Sequence, residues 1–181
     1  MDTPVIRLTT ERELKIFMDP VRQRVLRTME ILGRPVTAKG LADAMGMTPA
    51  SAKYHLGQLE SIGLAALDHT ELIHGITARY YRATRAEVRL GAERSEFRAE
   101  AEIIAENQVN AVFRAFLARA AAAGEGDVSG DCHTGVVRLT EEQLRALREK
   151  ILSFIRESQT GPADAAPYEF ALVYCRAETG G

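Results

Sequence analysis

The chain has few cysteines and no long apolar segment. Only 2 of its 181 residues are cysteine, which is too few for a disulfide scaffold. No apolar run approaches the length of about 20 residues that spans a bilayer, and the N-terminus has no signal-peptide pattern. A phosphate-binding glycine-rich loop, a nucleophile elbow and a zinc-protease signature are also absent. We therefore expect a cytoplasmic protein that makes no membrane contact, is not an enzyme and needs no cofactor.

The formal net charge is small, at −2, but the charge is unevenly distributed. Residues 1–90 carry 13 Lys and Arg against 10 Asp and Glu, a net charge of +3. Residues 91–181 carry 10 Lys and Arg against 15 Asp and Glu, a net charge of −5. This polarity indicates a basic binding face joined to an acidic body.

Residues 48–64, TPASAKYHLGQLESIGL, predict a short helix with one apolar and one polar face. Thr48 is a suitable N-cap and Pro49 suits the first helical position, because a helix start leaves backbone N–H groups without partners. Gly63 predicts the end of the helix. The apolar face repeats at helical spacing through Ala52, Leu56 and Leu59. The other face carries side chains suited to hydrogen bonds with phosphates and base edges: Ser51, Lys53, Tyr54, His55 and Gln58.

A second short helix precedes this one. Residues 37–46, TAKGLADAMG, begin at a capping Thr37 and end at Gly46, which gives a tight link to the next helix. Two short helices joined by a turn with glycine are the signature of a helix-turn-helix, whose second helix enters the major groove of DNA. A third helix is predicted upstream, beginning at Asp19–Pro20.

Two strands are predicted after the helix-turn-helix, at residues 64–70 and 77–83, around a loop that contains His74. A hairpin in this position is the wing of a winged-helix domain. Its basic residues Arg79 and Arg82, with His74 at the tip, are suited to phosphates or to a minor groove.

Three segments between Asp19 and Thr84 carry a resemblance to a known family: DPVRQRVLRTM, TAKGLADAMGMTPASAKYHLGQLESIGL and ARYYRAT. This run resembles the winged-helix domain of ArsR-type bacterial transcription regulators. The resemblance implies a dimeric, cytoplasmic regulator that binds a palindromic operator in double-stranded DNA. The residues that we assign to DNA contact are Thr37, Lys39, Thr48, Ala50, Ser51, Lys53, Tyr54, His55, Gln58, His74 and Arg79.

The expected fold is mainly α, of the α+β class, with a winged helix-turn-helix domain at 11–90 and a second region at 91–181. A capping-box pattern at Thr84–Glu87 predicts a helix directly after the wing. A long helix from about Ser95 to about Ala123 is expected to pair with its copy in a homodimer.

A small strand–helix–strand unit is predicted beyond the long helix. Its parts are a strand at 134–139, a helix from Thr140 and a strand at 168–176. Such a unit is too small to stand alone, so we expect it to complete the dimer and to offer a pocket for an unidentified small-molecule effector.

Two alternatives to a DNA-binding repressor remain open from the sequence. The modest positive charge of the N-terminal half allows a winged helix that binds another protein. Many ArsR-type proteins sense metals, and Cys132, His133 and Cys175 could form a metal or redox site if the fold brought them together. We assign no metal ligands, because the spacing of these three residues is a weak signal.

Overall fold

The structure is a computed structural model that describes residues 4–90, 98–122, 130–158 and 165–177. The chain forms two compact units, Met1–Ile104 and Ala105–Gly181. The elements in chain order are β1 (Val5–Leu8), α1 (Glu11–Met18), α2 (Pro20–Leu32), α3 (Ala38–Met45), α4 (Pro49–Ser61), β2 (Ala65–Ile73), β3 (Ile76–Ala83), β4 (Glu87–Leu90), α5 (Arg98–Ala122) and α6 (Glu141–Ser158). The fold class is mixed α and β with a winged helix-turn-helix in the N-terminal unit, as the sequence predicts.

The helix-turn-helix forms where its caps predict. The Thr37 hydroxyl accepts a hydrogen bond from the Gly40 N–H at 3.0 Å and begins α3. The Thr48 hydroxyl accepts one from the Ser51 N–H at 3.2 Å and begins α4. Between the helices, Gly46 adopts a left-handed conformation with φ of 66°, which turns the chain sharply. The predicted boundaries of both helices are confirmed.

Helix α2 also begins as predicted, with Asp19 as its N-cap, and a left-handed Gly33 is its C-cap. It packs with α3 and α4 around one hydrophobic core. The largest fully buried side chains of that core are Leu8, Leu41, Leu56, Leu59, Leu64 and Val25. Burial of such aliphatic side chains is the main force that fixes the orientation of α4, at about 1.5–3 kcal/mol each.

Helix α1 is an element that the sequence analysis did not predict. A capping box begins it, because the Thr10 hydroxyl accepts from the Glu13 N–H and the Glu13 carboxylate accepts from the Thr10 N–H. Its last turn is joined to α2 by the buried Arg22, whose guanidinium donates to the Ile16 and Lys15 carbonyl oxygens. These bonds satisfy carbonyl groups that the end of α1 leaves without helical partners.

The wing is longer and its turn tighter than predicted. Strands β2 and β3 pair antiparallel, with Ile73 opposite Ile76 at the end of the ladder. Only His74 and Gly75 connect them, with φ of 50° and 80°. Positive φ at both central residues is the geometry that matches the twist of a two-residue hairpin. The tip is therefore a well-defined turn at the end of a paired ladder.

The prediction of a helix directly after the wing is wrong. The Thr84 hydroxyl donates to the Leu64 carbonyl oxygen at 3.2 Å instead of capping a helix. Arg85 has φ of 50°, and the following residues form β4, which pairs in parallel with β1. The parallel partner lies about 80 residues away in sequence, so a local capping pattern gives no sign of it.

The second unit departs in part from the predicted strand–helix–strand arrangement. Its helices agree with prediction, since α5 covers most of the expected long helix and α6 follows Thr140. The strands predicted at 134–139 and 168–176 are wrong, because the described residues of this unit contain no paired strand. A strand exists only where a neighbour takes its backbone hydrogen bonds, and no described residue of this unit does so. No helix in the described part of the chain is both long and apolar enough to cross a bilayer.

Candidate nucleic-acid interface

The outward face of α4 is made of small and basic residues. Its inward face is fixed in the core by Ala52, Leu56 and Leu59, each at most 1% exposed. Ala50, Lys53 and Gly57 lie on the opposite side and are exposed. A Cβ added to Gly57 would meet open space, so no other described residue occupies the volume in front of it. A polynucleotide backbone or base edge can therefore approach the helix closely here.

One flank of this face carries the larger polar side chains of the predicted site. Tyr54 is 59% exposed, whereas Ser51 and Gln58 are half-buried. His55 is also half-buried, with its ring edge-on to Tyr54 at 5.4 Å between centroids. The His55 Nδ1 atom is buried without a hydrogen-bond partner in the described structure. Tyr54 thus extends outward, and His55 faces inward more than its place in the sequence suggests.

Helix α3, which contacts α4, and the two capping threonines contribute further predicted contact residues. Lys39 is exposed in the first turn of α3. Thr37 and Thr48 use their hydroxyl oxygens as acceptors for their own helices. Each hydroxyl keeps its proton for donation outward, which is the usual way that a capping threonine contacts a phosphate.

The arginines of the wing are engaged by carboxylates. Arg79 Nη2 lies 3.6 Å from Glu60 Oε1 of α4, and its guanidinium lies over the Tyr81 ring at 5.4 Å. Arg82 Nε lies 3.3 Å from Asp68 Oδ1. Both arginine side chains remain about half exposed, so these are surface ion pairs that a phosphate can displace at small cost.

One face of the wing carries a further hydrogen-bonded group. The His69 ring stacks on Tyr80 at 4.4 Å between centroids. The Tyr80 hydroxyl donates to Glu71 Oε2 at 3.0 Å, and this carboxylate raises the pKa of the phenol above its usual value. At the tip, exposed His74 is flanked by Leu72 and Ile76, which are 72% and 74% exposed. The tip is therefore mostly aliphatic.

A cleft of about 300 Å³ adjoins α4 on the Tyr54 side, and we call it the α1 cleft. The residues that line it are Glu11, Arg12, Lys15, Ile16, Arg22, Tyr54 and Gln58. Lys15 Nζ lies 2.5 Å from Glu11 Oε1, and this hydrogen bond and charge lower the pKa of the Glu11 carboxyl. The sequence analysis missed Arg12 and Lys15, because no local pattern shows that α1 packs beside α4.

The residues of the metal or redox alternative lie in the second unit. Cys132 and Cys175 are exposed free thiols, and His133 Nε2 lies 2.7 Å from Asp131 Oδ2. The described residues contain no group of three His, Cys, Asp or Glu side chains placed to hold a metal ion. Cys132, His133 and Cys175 are therefore not assembled into a site in this structure.

Comparison with known proteins supports the helix-turn-helix. Residues 17–68 match a protein-family model for a helix-turn-helix domain. No curated protein matches the chain. A homodimeric winged helix-turn-helix DNA-binding domain from Mycobacterium bovis, described as a possible ArsR-family transcriptional regulator, is 19% identical. That likeness covers 67% of this chain and 85% of the other, with a TM-score of 0.35.

The family match spans the last residues of α1, the three core helices and the start of β2. The β2–β3 hairpin beside it adds the wing that the resemblance to ArsR-type regulators implied. The chain therefore carries a helix-turn-helix domain, with a β-hairpin in the position of a wing.

Proposed function

We propose that the protein is an ArsR-type repressor that binds a palindromic operator as a homodimer. Helix α4 enters the major groove, and the wing contacts the adjacent backbone. The observation that carries the proposal is the outward face of α4, where exposed Lys53 lies between the small residues Ala50 and Gly57. A face of this kind allows close approach, since side chains reach phosphates and bases only when the helix lies deep in the groove.

Two further features support the contact. Lys53 and Lys39 are exposed cations on α4 and α3, and phosphate contacts supply most of the non-specific affinity for DNA. Tyr54 presents an exposed ring and hydroxyl beside them. These three side chains have the accessibility that direct contact needs, whereas the half-buried His55 is better suited to positioning Tyr54.

The dimer is proposed from the second unit. None of its described side chains is buried, although many are large and apolar. Those that are 49% or more exposed are Phe113, Leu117, Val136, Val137, Phe154, Tyr168, Phe170, Leu172, Val173 and Tyr174. Apolar surface of this extent usually marks an interface. A second copy is the occupant that we propose, because a two-fold dimer matches a palindromic operator.

The test is binding of the full chain to the DNA upstream of its own gene, measured by fluorescence anisotropy over a salt series. Random duplex of equal length is the reference. We expect a preference of at least about 10³-fold for the upstream DNA. Lys53→Ala should weaken binding to both duplexes, and the slope of log K against log salt should decrease by about 1.

Lys150→Ala is the matched control, because Lys150 is an exposed lysine on α6, outside the winged helix. It should change neither the affinity nor the slope. Absence of binding to either duplex at low salt would contradict the proposed function and favour a winged helix that binds another protein. Equal binding to both duplexes would contradict the specific operator at this locus.

A further inference from the structure

The α1 cleft adjoins the proposed DNA-binding face on the flank that the wing does not cover. An α-helix has 3.6 residues per turn, so Glu60 lies about 140° around α4 from the mean direction of Tyr54 and Gln58. Glu60 contacts Arg79 of the wing, whereas Tyr54 and Gln58 line the α1 cleft. The exposed residues Ala50, Lys53 and Gly57 lie between these two flanks. The recognition helix thus has the wing on one side and the cleft on the other.

A helix in a major groove has a phosphate backbone on each side. The groove is about 12 Å wide and a helix with its side chains is about 10–12 Å across, so both backbones lie close to its flanks. The wing meets one backbone in the proposed docking. The surface on the opposite flank of α4 then faces the phosphates of the other strand.

The cleft has the chemistry that a phosphate needs. Arg12, Lys15 and Arg22 line it, against one carboxylate, Glu11. The Arg22 side chain is only 10% exposed, and its Nε and Nη2 atoms are used by α1 carbonyls and Asp19. Arg12 is exposed where it lines the cleft.

We propose that the α1 cleft binds a backbone phosphate of the DNA strand opposite to the one that the wing contacts, with Arg12 and Lys15 as its cations. Arg22 holds α1 in place and lines the back of the cleft. Glu11 opposes this contact, because it pairs with Lys15 and repels the phosphate. The inference rests on the proposed DNA-binding function and adds a second basic contact surface to it.

The test compares a variant that removes a positive charge with one that removes a negative charge. Both are measured in the same anisotropy assay, with the upstream and random duplexes as probes. Arg12→Ala should weaken binding to both duplexes by about eightfold at 0.1 M salt, since one lost phosphate contact lowers the salt exponent by about 0.9. Glu11→Gln should tighten binding by about twofold or more, because it releases Lys15 from its ion pair. Both side chains are exposed, so circular dichroism should confirm an unchanged fold.

Lys150→Ala and Glu149→Gln on α6 are the matched controls for the two changes of charge. If Arg12→Ala and Glu11→Gln change affinity no more than these controls while the wild type still prefers the upstream duplex, the cleft inference is wrong and the proposed function stands. If the wild type binds neither duplex, both fail. If Arg12→Ala abolishes thermal stabilisation by inorganic pyrophosphate but leaves DNA affinity unchanged, the cleft binds a small anion and the inference is overturned.

Discussion

Gly57 is the residue at which helix stability and proposed function conflict. It lies in the middle of α4, where glycine is less favourable than alanine by about 0.5–1 kcal/mol. A Cβ there would meet no atom of the described residues within 4 Å. Packing within the chain therefore gives no reason for a glycine, whereas close approach to DNA does.

We predict that Gly57→Ala stabilises the free protein by about 0.5–1 kcal/mol in urea unfolding, because the helix gains propensity without a clash. The same substitution should weaken binding to the upstream duplex, since the methyl group projects from the proposed contact face. A stability gain with unchanged DNA affinity would contradict the placement of Gly57 against the groove. A loss of stability would contradict the open space in front of it.

At single positions, the sequence predicted which side chains of α4 are polar contact candidates better than it predicted how exposed each of them is. Lys53 and Tyr54 are exposed on α4 as the polar pattern indicates. His55 follows them directly, yet it is half-buried with its Nδ1 enclosed. The difference arises because His55 lies 100° further round α4 than Tyr54, at the border between the buried and the exposed face. At that border the packing of neighbouring helices decides how exposed a side chain is. That packing has no local sequence signal.

At the scale of elements, α1 depends on a charged capping box. The Glu13 carboxylate accepts hydrogen bonds from the Thr9 and Thr10 N–H groups, both at 2.9 Å, and these bonds lower its pKa in the folded protein. A carboxyl with a lower pKa in the folded than in the unfolded state stabilises the fold above the unfolded value, about 4.3. That contribution is lost as the pH falls through the folded pKa.

We therefore predict that Glu13→Gln lowers the melting temperature at pH 7 and that this difference from the wild type shrinks as the pH falls from about 5 to 3. Thr10→Ala removes the uncharged half of the same box and should cost about 0.5–2 kcal/mol at neutral pH. Thermal unfolding followed by circular dichroism across this pH range measures both. A Glu13→Gln difference that is constant with pH would contradict a role for the Glu13 charge.

Elements defined by local signals were predictable, and elements defined by distant partners were not. Caps and glycines set the ends of α2, α3 and α4, and alternation indicated the wing. Helix α1 also has a local signal, the capping box of Thr10 and Glu13, although no helix was predicted from it. The β1–β4 pair joins residues about 80 positions apart, so no window of sequence contains both strands. The predicted strands at 134–139 and 168–176 had the apolar pattern but no partner among the described residues of this unit.

At the scale of the whole molecule, the charge distribution sets limits on DNA affinity. The C-terminal half has a net charge of −5 and repels phosphates, while the N-terminal half has only +3. One winged helix with so few cations binds weakly at physiological salt. Two copies held in one dimer bind a palindrome far more tightly, because the second contact becomes intramolecular. In the proposed dimer, the exposed apolar surface of the second unit is thus as important to operator binding as the recognition helix.

This dependence can be tested through the spacing of half-sites. Phe113 and Leu117 lie one helical turn apart on α5 and are 49% and 50% exposed. If they belong to the dimer interface, Phe113→Ser with Leu117→Ser should shift sedimentation equilibrium toward monomer.

Wild-type protein should bind a palindrome with half-sites about 10 base pairs apart and lose affinity when about 5 base pairs are inserted, because the second site then faces away. The double variant should bind both duplexes equally and weakly, whereas Arg114→Ser, an exposed polar change on the same helix, should keep the wild-type preference. A double variant that stays dimeric and still distinguishes the spacings would place the interface elsewhere on the chain.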